Sequence, residues 1–331
     1  MRADGVFEGG GVKAVGLLGA LERAESHGIE WERVGGTSAG AIVAALVAAG
    51  YSGRELSRLV KDFDFRRFQD RDLLDRVPML GPALSLGFEA GVYEGDELER
   101  WLAGLLEDRD IQTFGDLIWT DPDSGEEEYR LQVVAADVSQ SRLLVLPEDI
   151  AQYGDEPDEL SVARAVRMSA SVPLYFEPQT LKDPTGVRSY IVDGGILQNF
   201  PVWLFDRPDA EAPRWPTVGF KLVGDPVAPG QVKHPIRGPL SLMGAVFLTM
   251  LEAQDQVTLR DQDFVRTVTI PTAGVTTFDF DLSAARRDAL YRSGQEAADK
   301  FFAIWDFEEY VQKFRQGRQP SRRRRLWGDE S

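Results

Sequence analysis

Apolar positions in the first fifty residues follow two alternating patterns. "DGVF" and "WERVGG" are short apolar runs that end in glycine, as short strands do. Between them Val15, Leu18, Leu21 and Ala24 recur at helical spacing, which predicts a helix over Val12 to His27 closed by Gly28. Ala39 to Ala49 reads as a second helix, ending at Gly50. Short strands separated by helices predict a mostly parallel sheet with helices packed over it.

The patterning continues through the chain. "SGRELSRLVKDF" carries Ser52 and Glu55 at the spacing of a capping box, and "EGDELERWLAGLLE" is an amphipathic helix. "YRLQVVAADV" and "SRLLVLP" predict adjacent strands joined by a hairpin turn in "DVSQS". "ELSVARAVRMSASVP" predicts a helix stopped by Pro173, and "RSYIVDGG" a strand ending at Asp193. "TVGFKLVG" and "DFVRTVTIP" are later strands, and helices are expected over Leu240 to Leu259 and Ser283 to Phe314. No repeat and no long linker divides the chain. The expectation is one α/β domain over residues 1–317 and a basic tail over 318–331.

Composition narrows the chemistry. The 331 residues include no cysteine and only two histidines, His27 and His234, so cysteine nucleophiles and thiolate metal sites are excluded and a histidine-rich site is not expected. A net charge of −17 argues against nucleic acid as a partner. The N-terminus lacks the apolar core of a secretory signal, and "AIVAALVAA" falls well short of the roughly 18 residues of a membrane span. The expected location is the cytoplasm, with peripheral contact to a membrane surface. No cofactor or metal is expected.

Three glycine turns each follow a predicted strand, and strand ends of a parallel sheet gather along one edge, where ligands bind. "GTSAG" (Gly36 to Gly40) fits G-x-S-x-G, which holds a serine on a sharp strand-to-helix corner; the same letters also suit a plain glycine turn. "EGGGVKAVG" sets Gly9, Gly10 and Gly11 at a helix start, where successive N–H groups form an anion nest or merely a flexible turn. Gly9-x-Gly11-x-x-Ala14 also fits a dinucleotide fingerprint, but the second strand ends in Gly35 and Gly36 where an acidic residue is needed. No G-K-[ST] follows, so a P-loop fails too. "VDGG" places Asp193 at a strand end before Gly194 and Gly195, and a serine hydroxyl needs such a proton acceptor nearby. Ser38, Asp193 and His234 also occur in the chain order of a hydrolase triad, which the residues alone leave open.

Together, "GGGVKA", "GTSAG" and "DGG" resemble the oxyanion loop, nucleophile turn and aspartate turn of the patatin-like phospholipase family. "AADVSQSRLLVL", "SASVPLYFEP" and "NFPV" extend the likeness over about Gly5 to Val202. Ala14 stands where many members carry glycine, while Lys13 keeps the basic position. The resemblance implies a three-layer α/β/α fold and a Ser–Asp dyad without histidine. It implies phospholipase A-type hydrolysis of acyl esters in membrane or storage lipids, usually without a catalytic metal. Carried onto this chain, Ser38 attacks the ester, Asp193 accepts its proton, and N–H groups of Gly9, Gly10 and Gly11 hold the oxyanion. Gly36, Gly40, Gly194 and Gly195 form the turns. A soluble carboxylesterase or thioesterase, or a non-hydrolytic lipid-binding protein, are the alternatives.

Two further stretches bear on lipid contact. Met79 to Tyr93, with Leu80, Leu84, Leu86 and Phe88 among glycines and prolines, reads either as a flap over an acyl channel or as core packing. Arg322 to Arg325, followed by Leu326 and Trp327, suits an anionic bilayer or a solvated end.

Overall fold

A computed structural model of the chain describes residues 1–61, 63–68, 94–121, 125–207, 213–224, 236, 242, 245–250 and 261–314. Met79 to Tyr93, His234 and the basic tail lie outside the described residues, as does much of the helix expected over Leu240 to Leu259; residues 245–250 of it are helical.

The strands are β1 (Arg2–Phe7), β2 (Glu30–Thr37), β3 (Ile118–Thr120), β4 (Glu127–Tyr129), β5 (Leu131–Asp137), β6 (Arg142–Leu146), β7 (Gln179–Lys182), β8 (Arg188–Asp193), β9 (Thr217–Val223) and β10 (Thr267–Pro271). β3 and β4 make a separate small hairpin, while the others form one sheet in the order β10-β9-β1-β2-β5-β8-β7, with β6 also on β5. From β10 to β5 every pairing is parallel; β6, β8 and β7 join antiparallel to their neighbours. β3 is too short, and β4 and β7 too short and too polar, to stand out from the apolar pattern.

The helices that bear on the site are α1 (Val15–Ser26), α2 (Ala39–Ala48), α3 (Gly53–Lys61), α4 (Asp96–Glu107) and α5 (Val162–Ser169). Successive strand side chains point to opposite faces, so each strand serves two cores. Phe7, Val133 and Leu144 join Leu17, Leu21, Ala44 and Val166 of α1, α2 and α5 in the larger core. Their neighbours Val6, Val134 and Val145 face the other way, onto Trp203, Leu204 and Phe205. Covering both faces gives the layered α/β architecture. α2 is apolar all round and buried from Val43 to Ala48, as a helix packed on several sides must be.

Local signals place the helix ends. Ser52 and Glu55 form the expected capping box, with the Ser52 N–H donating to Glu55 Oε2 (2.9 Å) and the Glu55 N–H to Ser52 Oγ (3.3 Å). Ser161 Oγ accepts from the Arg164 N–H at the start of α5. Two boundaries differ from expectation. α1 begins at Val15, because Gly11–Ala14 forms a 3-10 turn that docks the Val12 N–H on Thr277 O (3.2 Å). The helix expected over Ser283 to Phe314 is split into Ala284–Phe302 and Phe307–Phe314, where Asp306 caps the Glu309 N–H (3.0 Å). Among the described residues no helix is long and apolar enough to cross a membrane.

Candidate active site

β5 brings two of the three turns together. Thr37, the last residue of β2, pairs with Val134, and Asp193, the last residue of β8, pairs with Ala135. β6 runs along the other side of β5 over Val133 to Asp137, so β2 and β8 share one side. They arrive from opposite directions and meet end to end. This corrects the expectation that all three turns leave strands of one parallel edge: β8 is antiparallel, and its tip points at the tip of β2 instead of lying beside it.

Ser38 follows directly. Its φ of 55° and ψ of −126° are unusual for a residue with a side chain, and a conformation of this kind costs about 1–3 kcal/mol unless neighbours hold it. Ser169, at the end of α5, is one such neighbour. The Ser38 N–H donates to Ser169 Oγ (2.8 Å), and the Ser169 hydroxyl donates to Val134 O (2.6 Å). A hydroxyl is thereby inserted where the β2–β5 ladder stops, and Ser38 is turned off the sheet into α2. There is no room for side chains around this corner. A Cβ on Gly40 would stand 2.2 Å from Phe7 O, and one on Gly194 would stand 2.4 Å from Val134 O.

The glycine turn after β1 is tied to both. The Gly9 N–H donates to Asn199 O (3.2 Å), Asn199 Nδ2 donates back to Gly9 O (3.1 Å), and Thr37 Oγ1 donates to Gln198 O (3.0 Å). The buried Glu8 carboxylate accepts from Lys221 Nζ (2.7 Å) of β9 and anchors the turn from below. Gly9 therefore spends its N–H on the scaffold. The N–H groups of Gly10 and Gly11 meet no hydrogen-bond partner among the described residues.

Asp193 is fully buried. Its N–H donates to Ser171 O (2.9 Å), and Oδ1 accepts from the Gly195 N–H (2.7 Å), while Oδ2 meets no hydrogen-bond partner among the described residues. Burial pushes the carboxyl up from 3.8 to about 6, against the pull of the Ser38 side chain and the Gly195 N–H toward the charged form. Ser38 thus acts electrostatically on Asp193, although the two make no hydrogen bond of standard geometry.

Both side chains open into a cavity of about 150 Å³. Ser38, Asp193, Asn199, Lys13, Thr277 and the glycines Gly9 to Gly11 are among the groups that line it. Leu18, Ile42, Leu46 and Leu56 are among the apolar residues that form the rest. His27 is not there. It binds Asp299 (2.9 Å) at the far end of α1, about 18 Å along the helix from its start. Among the described residues no cluster of three or more His, Asp or Glu side chains is placed to hold a metal ion.

The patatin-like phospholipase family model matches residues 5–206, the span that carries all three turns. The chain belongs to the patatin-like phospholipase family. The Bacillus subtilis (strain 168) protein YqhO is 38% identical over 310 residues, which is 93% of this chain and 100% of YqhO. VipD from Legionella pneumophila has a similar fold, with a TM-score of 0.56 at 16% identity over 92% of this chain and 67% of VipD. Patatin-like phospholipase membership implies an ester hydrolase, and family and fold together suggest lipid acyl hydrolysis.

Several residues around this patatin-like phospholipase site escape the motifs. Ser169 opens the stretch "SASVPLYFEP", whose likeness to the family assigns it no role. Asn199 sat in a stretch noted for its likeness and given no task. Lys221, flanked by Phe220 and Leu222 inside β9, is the plainest signal, since a buried lysine requires a partner.

Proposed function

We propose that this patatin-like phospholipase cleaves carboxylic esters of lipid acyl groups, with Ser38 as nucleophile and Asp193 as its base. The observation that carries the proposal is the end-to-end meeting of β2 and β8, which brings Ser38 next to a buried carboxylate with one oxygen unmatched among the described residues. Asp193 takes the Ser38 proton as Oγ bonds to the ester carbonyl carbon, and returns it to the departing alcohol. Water, giving a proton to Asp193, then bonds to the acyl carbon; the acyl–Oγ bond breaks, Asp193 returns the proton to Ser38 Oγ, and the fatty acid leaves. The oxyanion of each tetrahedral intermediate is held by the N–H groups of Gly10 and Gly11, at the start of the 3-10 turn that precedes α1. Gly9 supports the loop that carries them. Removing one such donor typically costs about 3–4 kcal/mol of transition-state stabilisation.

Replacement of the reacting groups tests this. Ser38→Ala and Asp193→Asn should each reduce hydrolysis of a micellar ester by at least about a thousandfold, and a fluorophosphonate should label wild-type Ser38 but not the Ser38→Ala chain. His234→Ala should keep most of the activity. Full activity in Asp193→Asn would refute the dyad, and loss in His234→Ala would favour a triad.

A further inference from the structure

Arg167 lies wholly buried near the end of α5, where a guanidinium needs partners for its donors. It reaches three parts of the site. Nη1 donates to Ser171 Oγ (2.6 Å), and the Ser171 hydroxyl donates back to Arg167 O (2.8 Å), so residue 167 fixes that hydroxyl from two sides. Nη2 donates to Glu177 O (3.1 Å) and to Glu94 O, and the guanidinium stands over the Phe176 ring, 5.1 Å from its centroid. At the start of α4 the backbone runs against it: a Cβ on Gly95 would stand 2.3 Å from Arg167 Nε.

Each contact leads to a working part. Ser171 O accepts the Asp193 N–H (2.9 Å), so the first bears on the base. Phe176 lines the cavity, as do Leu98 and Trp101 of α4, so the others bear on its wall. Two residues from Arg167, Ser169 holds the Ser38 N–H. One turn of chain therefore touches nucleophile, base and wall. The contacts also require a planar fork. A lysine ammonium is a single point of charge and cannot serve a hydroxyl through one nitrogen and two carbonyls through another.

We infer that Arg167 is a positioning residue: through Ser171 it fixes where Asp193 stands relative to Ser38, and through Glu94, Phe176 and Glu177 it ties the cavity wall to the same frame. This rests on the dyad proposed above and adds what holds its two members in register. A displacement of about 1 Å at a reacting group can cost on the order of a hundredfold in rate, so a tether one residue removed from the chemistry has leverage.

The test reads kcat per fluorophosphonate-labelled Ser38, so that misfolded chain drops out of the comparison. Arg167→Lys keeps the charge and loses the fork. Its kcat on p-nitrophenyl acetate should fall at least about tenfold, and its KM for p-nitrophenyl decanoate should rise as the wall loosens. The pH midpoint of kcat/KM should move below about 6 as water reaches Asp193, whereas a purely structural role would leave it in place. Ser171→Ala is the smaller change and keeps the carbonyl that holds Asp193. It should lower kcat without raising the KM for decanoate. The double variant should have a kcat no lower than Arg167→Lys alone, because both act along one path. A wild-type kcat per labelled site in either single variant, an unmoved midpoint in Arg167→Lys, or losses that multiply in the double variant overturns the inference and leaves the dyad standing. If Arg167→Lys does not fold, the kcat of Ser171→Ala decides by the same reading. Absence of both Ser38 labelling and ester turnover in wild type overturns the dyad and this inference with it.

Discussion

Asp193 is kept out of water with an oxygen unmatched, and that arrangement works against folding. The unfolded chain ionises this carboxyl near 3.8 and the folded chain only near 6, so above pH 6 folding carries a penalty of about 3 kcal/mol. The penalty shrinks as pH falls below 6 and vanishes below the unfolded value. Asp193→Asn should therefore be more stable than wild type at pH 8, by about 1–3 kcal/mol in chemical denaturation, with the difference fading toward pH 4. On the proposed dyad, hydrolysis should follow the same titration with opposite benefit. A base must be unprotonated, so kcat/KM should rise with pH around an apparent value of about 6. A midpoint near 4 would mean that Asp193 is not the group titrating. The identities of Ser38 and Asp193 were legible in the sequence because glycines fence them in. The burial of Asp193 was not legible, since it depends on α5 and on the turn beyond β8.

Among the elements, the end of α5 holds the Ser38 backbone directly. Ser169 satisfies the N–H of a residue whose backbone is otherwise costly, and it takes the carbonyl of Val134 as its own acceptor. Ser169→Ala leaves both groups buried and unpaired, a loss of about 1–3 kcal/mol. Ser38 should then drift back toward the sheet. The expected outcome is a kcat about tenfold or more below wild type with KM little changed, measured on one micellar ester; equal effects on both would indicate general loosening. At this scale the pattern foretold most helices and the strands β1, β2, β5, β6, β8, β9 and β10, because each buries an apolar face. It did not foretell that β8 is antiparallel. Strand direction depends on the path of the connecting chain, and apolar spacing within a strand carries no trace of it. The break at Asp306 was legible as an acid three residues before Glu309, and was missed because apolar spacing continues on both sides.

Across the whole molecule, the sheet passes without interruption beyond residue 206, where the family match ends. β9 pairs with β1 and supplies Lys221 to Glu8 beneath the glycine turn. The helix Ala284–Phe302 lies against α1 so closely that a Cβ on Gly294 would stand 1.9 Å from Gly16 O. A chain ending at residue 206 would expose the open edge of β1, a ready template for aggregation, and leave a buried carboxylate without its cation. It should be insoluble or inactive, whereas a chain ending at residue 317 should remain soluble and hydrolyse ester; soluble expression and ester turnover measure both. The meeting of β2 and β8 has a last consequence. Ser38 and Asp193 are indexed to adjacent peptides of β5, which itself lies in the span of chain between them, as do Ser169 and Ser171. Only the parts of that span outside β5 and the end of α5 are free to acquire or lose surface excursions over evolution, and relatives can differ there while keeping the same junction.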